Sequence, residues 1–296
     1  MNLLKTLLIG AVALLASCNI KEDVSDCPYN AILTFRYDGD VSYDIFAEKI
    51  DRVALYVFSD DGALVSRMDF SQEQLRDYQG TTLKLNPGRY RIVCWGNAFD
   101  NTQIAPEDPH DEARVQHPDL FSGADIATND HLYYAACDLH LPKNDIISRE
   151  IAFVSAHINL EIYTRGTGGS AGRLPIYAVN GLCPQYDFDM RTLGAPASYY
   201  PAVSFDTAKN AAAAKLQVFR FSDDNPVTID IRDPQNPAET IYTVNLKEFM
   251  AQNDIHVDGI QEATVELLVE FGDVSVEIVV PDWDEEPVAP GGPGYN

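Results

Sequence analysis

Cys18 is the side chain whose neighbours spell out a reaction. It follows Leu15-Ala16-Ser17 at the end of MNLLKTLLIGAVALLASC. That is a lipobox, in which the thiol receives diacylglycerol and the chain is then cut before the cysteine. The residues ahead of it fit a secretion signal, with Lys5 as the positive start and an apolar run over 6–16. As a helix that run is roughly 16 Å long, about half a hydrocarbon core, so it does not span a bilayer. Two or three acyl chains, at roughly 0.8 kcal/mol per buried CH₂, hold a protein on a membrane where one does not. The expected mature chain therefore begins at Cys18, its lipid-attachment site.

Other clusters carry weaker chemical signals. EDPHDEARVQHPD (107–119) gathers Asp108, His110, Asp111 and His117, and Asp38, Asp40 and Asp44 form a second acidic stretch. Carboxylates and imidazoles bind divalent ions. Neither set has EF-hand or H-E-x-x-H spacing, and among 45 acidic residues some must fall together in solvated loops. GTGGSA (166–171) fits a dinucleotide-binding glycine pattern, but Gly172-Arg173-Leu174-Pro175 stands where that site needs a helix to begin. A loop is expected there instead. With no G-x-S-x-G elbow and no cysteine in a catalytic context, the chain is read as non-enzymatic, without catalytic residues, cofactor or metal.

Cys27, Cys94, Cys137 and Cys183 remain after the anchor. Export permits disulfides, and four cysteines allow three full pairings. No pair has the close spacing of a zinc knuckle. A bridge from Cys27 to Cys94 or Cys137 is one expectation; inert thiols buried in strands are the other for Cys94 and Cys137.

The elements that must position these groups are strands. AILTFRY (31–37) alternates, and VALYVF (53–58) is apolar on both faces, as in the middle of a sheet. Asp61-Gly62 turns into ALVSRM (63–68), and Asn86-Pro87-Gly88 is read as joining TLKL (82–85) to RYRIVCWGN (89–97) in a second hairpin. LYYAACDLHL (132–141) precedes Pro142-Lys143-Asn144-Asp145, the expected domain boundary. IISREIAFVSAHINLEIYT (146–164), IYAVNGL, LQVFRF, VTIDI, TIYTVNL, ATVELLVEF and VSVEIVV complete the series, with a short helix at KEFMAQN (247–253). Strands at this spacing without alternating helices specify an all-β sandwich fold. The expected division is a signal over 1–17, a lipidated tether over 18–28, sandwiches over 29–143 and 144–283, and an acidic Pro/Gly tail over 284–296.

Composition narrows the function classes. The chain has 296 residues and a net charge of −24, which argues against nucleic-acid binding, because that affinity comes from Lys and Arg neutralising phosphates. With 46% apolar residues the chain has the means to build a core.

Several segments together resemble one family. They are Cys18, Ser25-Asp26-Cys27-Pro28, LTFRYD (33–38), RVALYVFSDDGALV (52–65) and LKLNPGRYRIVCWGN (83–97). HINLEIYT (157–164), YTVNLKEF (242–249) and VEIVVPDW (276–283) continue the likeness. In that order they resemble the fimbrillin-associated anchor lipoproteins of Bacteroidales. The resemblance implies two consecutive transthyretin-like β-sandwich domains and a lipid-anchored outer-membrane protein that holds the base of a fimbria. It also implies contact with fimbrillin-type subunits through strand addition. Lys21-Glu22-Asp23, just past Cys18, resembles the surface-export signal of Bacteroidetes lipoproteins, and Asp206-Thr207-Ala208 resembles their O-glycosylation site, with Thr207 as acceptor. Two alternatives are a fimbrial tip or accessory subunit and a glycan-binding lipoprotein that uses Trp95 or Trp283 as a sugar platform.

Overall fold

The computed structural model describes residues 26–166, 174–272 and 275–283. Cys18, Lys21, Glu22, Asp23, all of GTGGSA beyond Gly166, and the tail from 284 onward lie outside the described residues.

The first part runs through β1 (Ala31–Arg36), α1 (Phe46–Lys49), β2 (Val53–Ser59), β3 (Leu64–Phe70), α2 (Gln72–Asp77), β4 (Gly80–Leu83) and β5 (Gly88–Gly96). It continues through β6 (Gln103–Ile104), β7 (Arg114–Gln116), β8 (Tyr133–Leu141), β9 (Ile147–Ala152) and β10 (Val154–Ser155). Two sheets, ordered β4-β1-β9 and β10-β8-β5-β2-β3, sandwich one core. Alternation selects its members: Leu33 and Phe35 from β1 meet Leu55, Val57, Ile92 and Cys94 from the facing sheet. α2 begins with a capping box, Ser71 accepting from the Gln74 N–H and Gln74 answering to the Ser71 N–H, and it adds Leu75 to this core.

The second part is built from β11 (His157–Arg165), β12 (Ile176–Leu182), β13 (Gln185–Asp187), β14 (Thr192–Leu193), β15 (Ala197–Tyr199), β16 (Ser204–Asp206) and β17 (Ala211–Phe219). β18 (Thr228–Asp233), β19 (Asn236–Asn245), α3 (Leu246–Gln252), β20 (Thr264–Phe271) and β21 (Val276–Val279) follow. Sheets ordered β16-β17-β11-β20-β21 and β15-β12-β18-β19 enclose a second core. Asn245 caps α3 through the Glu248 N–H, and the helix buries Leu246, Phe249 and Met250 there. The architecture is all-β, with three short helices among the described residues.

Three expectations need correcting. β4 and β5 do not form a hairpin: β4 pairs with β1, whereas β5 lies between β2 and β8. Asn30 diverts the chain, accepting from the Leu85 N–H (3.0 Å) and donating to the Leu85 carbonyl (2.7 Å), so Asn86-Pro87 crosses from one sheet to the other. The boundary at 143 also moves. β9 pairs in parallel with β1 and β10 pairs with β8, so residues 147–155 finish the first sandwich and the chain changes sandwich between Ser155 and His157. The Pro142–Asp145 turn only carries the chain from one sheet to the other.

The third correction concerns sulfur. Cys27, Cys94, Cys137 and Cys183 are free thiols, so the bridge expected from Cys27 is not formed. Cys94 and Cys137 share a core face but stand opposite Ala135 and Ile92. That makes them diagonal neighbours at about 7–8 Å, beyond the reach of a disulfide. Cys27 is tied down otherwise, its carbonyl accepting from Lys84 Nζ at 2.7 Å.

A small third sheet, β14-β13-β7-β6, combines strands from both halves. It covers the outer face of β2 and β5, where Tyr56, Phe58, Val93 and Trp95 pack with Val115, Tyr186, Phe188 and Phe219. This is why VALYVF is apolar on both faces. The sequence between 100 and 130 carries no strand periodicity that announces this sheet, because its strands are two or three residues long.

The two halves are also joined by polar contacts. Asp40 accepts from the N–H groups of Gln261 and Glu262, both at 2.8 Å. Glu262 in turn accepts from Lys49 Nζ (2.8 Å), from Tyr133 (3.3 Å) and from Tyr37. Burial alone raises the Glu262 carboxyl, but the bonds from Lys49 and Tyr37 outweigh it and hold the group below its ordinary value. Beside it, His157 Nδ1 lies 3.0 Å from the Leu132 carbonyl, and its Nε2 faces His131 Nδ1 at 3.2 Å. Burial drives the His157 pKa down to about 4.

Candidate functional site

The open side of the second sandwich is the part of the fold best suited to take another chain. β20 is a core strand, with Val265 and Leu267 fully buried, and β11 pairs with it from Thr264 to Glu270. On its other edge β21 pairs only with Leu268–Phe271. Among the described residues no strand pairs with Thr264–Leu267 on that side. Pro281 explains why the last strand stops short, since proline has no N–H for the ladder.

After Pro281 the chain folds onto the outer face of the same sheet. Trp283 packs edge-on against Tyr163 with ring centroids 4.8 Å apart, and its Nε1 donates to Glu266 at 2.6 Å. Lys209 Nζ sits 4.2 Å from the Trp283 ring and 4.1 Å from the Tyr163 ring. The end of β21 is thereby fixed beside the open stretch.

β19, the edge of the facing sheet, borders the same side; its Tyr242 meets Phe271 of β20 at 6.3 Å. β19 pairs regularly with β18 over Tyr242–Asn245, and irregularities interrupt the ladder beyond Tyr242. TIYTVN (240–245) contains no charged residue. The neighbouring charge, Asp230, is engaged by Thr243 (2.7 Å), Asn180 (3.1 Å) and Arg232 (3.3 Å). Unpaired N–H and C=O groups on an edge without charges are a template for strand addition.

Residues singled out in the sequence take other places. Asp38 pairs with Arg36 at 2.7 Å, Asp40 holds the junction, and Asp44 accepts from the N–H groups of Tyr37 and Phe46. Asp108 caps Leu64, His110 packs edge-on to Phe58, and His117 Nδ1 accepts from the Asp119 N–H. Among the described residues no three His, Cys, Asp or Glu side chains group to hold a metal. Thr207 is exposed in the turn between β16 and β17, where Asp206 accepts from the N–H groups of Ala208 and Lys209. Trp95 is fully buried and Trp283 is engaged by Tyr163, so neither ring offers an open sugar platform. Sequence reasoning missed the open stretch of β20; Pro281 was the visible signal, while the shortness of β21, four residues against eight in β20, shows only in the fold.

Comparison with known proteins places this fold. The profile of the fimbrillin-A associated anchor proteins Mfa1 and Mfa2 matches residues 24–288, and the chain belongs to that family. The fold is similar to that of an adhesin candidate from Bacteroides ovatus (TM-score 0.70, 16% identity, covering 84% of this chain and 92% of that one). It is also similar to a polysaccharide-binding candidate from Bacteroides thetaiotaomicron (TM-score 0.69, 14% identity, 86% and 96%). The fimbrial anchor protein Mfa2 from Porphyromonas gingivalis matches with TM-score 0.65 at 16% identity, over 86% of this chain and 96% of that one. No curated protein sequence matches the chain. Family membership gives the chain a fimbrial role at the cell envelope.

Proposed function

We propose that this chain is a non-enzymatic, surface-exposed lipoprotein of the outer membrane that anchors or assembles fimbriae through strand-mediated contacts with fimbrillin-type subunits. Cys18 carries the lipid, Lys21-Glu22-Asp23 directs export, and Thr207, exposed in its turn, is the O-glycosylation acceptor. The observation that carries the contact is the unfilled edge of β20 at Thr264–Leu267, where an incoming strand extends the sheet in line with β21. Strand addition there uses main-chain hydrogen bonds, which tolerate varied partner sequences.

The test is site-specific photo-crosslinking in cells, with the probe at Thr264 and, as control, at Arg67 on β3. Fimbrillin captured from Thr264 and not from Arg67 is expected. Capture from neither position, or from both equally, refutes the assigned edge. Anchoring is tested separately: Cys18→Ala should leave the membrane fraction, and retention there overturns the lipid assignment.

A further inference from the structure

A recess of about 690 Å³ opens on the outer face of the first sandwich and shares no lining residue with the open side of the second. Its walls come from four places. The turn after β2 contributes Asp60, and the loop carrying His110 is docked on it, the His110 N–H donating to the Gly62 carbonyl at 2.9 Å. The turn after β13 contributes Asp189, shaped by Asp187, which accepts from the N–H groups of Asp189 (2.9 Å) and Arg191 (2.8 Å). β5 and β8 form the floor, and Arg149 on β9 closes the side.

The charges in this recess are only partly paired with one another. Arg91 is fixed, donating to Asp138 and Asp189, each at 3.1 Å. Two residues along the same face, Arg89 stands directly opposite His140. Arg89 and Arg149 are both exposed, and among the described residues neither guanidinium forms an ion pair with a carboxylate, in a chain with 45 acidic residues against 21 basic ones. A basic side chain facing another basic residue across a strand pair gains nothing for the sheet. His110 Nε2 is buried without a hydrogen-bond partner, 3.9 Å from Asp189. The recess thus presents two unused guanidinium forks beside three aspartates, Asp60, Asp138 and Asp189, that retain acceptor capacity.

We propose that this recess binds a carboxylate-bearing saccharide. The sugar carboxylate takes the Arg89 and Arg149 donors, where bidentate geometry is available. The hydroxyls donate to the aspartates and accept from His140. An acidic peptide fits less well, because it brings further carboxylates against three aspartates and has no hydroxyls to offer them. A neutral sugar leaves both arginines unused. The proposal stands apart from the fimbrial reading: it uses a different face and different residues.

Titration calorimetry of the full mature chain tests it, with D-glucuronate, N-acetylneuraminate and trigalacturonate as probes, and maltotriose and a glutamate hexapeptide as controls. Saturable binding of at least one acidic sugar is expected, with neither control binding. Arg89→Ala combined with Arg149→Ala should weaken it at least about tenfold. Arg76→Ala, on α2 outside the recess, should leave it unchanged, and thermal melts of both variants verify that the chains are folded. The proposal falls if none of the three acidic sugars saturates. It falls equally if the double variant binds like wild type, if Arg76→Ala weakens binding as much, or if maltotriose or the hexapeptide binds as tightly as the sugars.

Discussion

The two sandwiches finish their long edges differently. In the first, β3 is guarded by Arg67, which pairs with Asp69 (3.1 Å) and Glu107 and lies over the Tyr56 ring. β9 carries Arg149 and Glu150, with Glu150 reaching Arg36 at 4.0 Å. In the second, Thr264–Leu267 has no strand on its outer edge among the described residues, its one charge Glu266 being held by Lys209 at 3.2 Å, and Tyr242–Asn245 is an uncharged edge. Charges on an edge oppose pairing with another chain, because a strand added there must desolvate them. Edge charge thus sets β3 and β9 of the first sandwich against strand addition, its edge strand β4 is only four residues long, and the proposed contact falls to the second sandwich. The covered outer face of the first sandwich, under the small third sheet, points the same way.

The sharpest way to break this contrast is to empty the covered face. Trp95 is fully buried against Tyr134, Tyr186 and Phe188. Trp95→Ala should cost about 3–5 kcal/mol through lost burial and the cavity left behind, read from urea denaturation. A loss under about 1 kcal/mol contradicts a packed layer at this face.

The junction should fail in acid. His157 is held neutral by burial, with its pKa down to about 4 against 6.5 when unfolded. The unfolded chain therefore binds the proton first. The contribution is complete above pH 6.5 and is lost as pH falls toward 4. With the Nδ1 proton on the Leu132 carbonyl, Nε2 must accept from His131, and protonation removes that acceptor. His131 is also lowered by burial, Arg220 adds to the depression at His157, and Glu262 opposes it. Relative to His157→Asn, wild type should lose about 2 kcal/mol between pH 7.5 and pH 5, measured by denaturant midpoints. Parallel curves for the two proteins contradict the assignment. At neutral pH, Glu262→Ala should cost about 1–2 kcal/mol, since Lys49, Tyr37 and Tyr133 lose an acceptor; a double-mutant cycle with Lys49→Ala measures how much of that belongs to the pair.

Long alternating strands were legible in the sequence because periodicity reports burial. β2, β5, β11 and β20 fall where their apolar patterns put them. Pairing partners were not legible. Asn86-Pro87-Gly88 has the chemistry of a hairpin turn, yet the side chain of Asn30, 55 residues away, decides that it changes sheets. The Pro142–Asp145 turn looked like a boundary because turn residues mark ends of strands and not ends of domains. The recess was hidden for the same reason: Arg89, His110, Arg149 and Asp189 are scattered in sequence, and only strand register assembles them. Asp38, Asp40 and Asp44 were conspicuous as a cluster, while the fold employs them separately as an ion-pair partner, a clasp and a cap.

The smallest effect on stability gives the most direct test of the contrast. Thr264 is exposed at the start of the open stretch and makes one weak side-chain contact, accepting from Asn159 Nδ2 at 3.4 Å. Thr264→Lys should leave folding free energy within about 0.5 kcal/mol, as for surface changes that break no cap, core or network. Yet it adds an ammonium to a stretch whose one charge, Glu266, is already engaged by Lys209 and Trp283. An added strand must then bury or displace an ammonium beside its first hydrogen bonds, so co-purification of fimbrillin should fall while the melting temperature stays put. The reciprocal change is Arg67→Thr with Asp69→Thr, which strips β3 of its guard and should raise self-association in sedimentation velocity runs. If the lysine leaves fimbrillin capture intact while the stripped β3 starts to pair, edge charge does govern strand addition but the partner enters elsewhere. β19 is then the edge to substitute next, because Tyr242–Asn245 is its regular uncharged stretch on the same side.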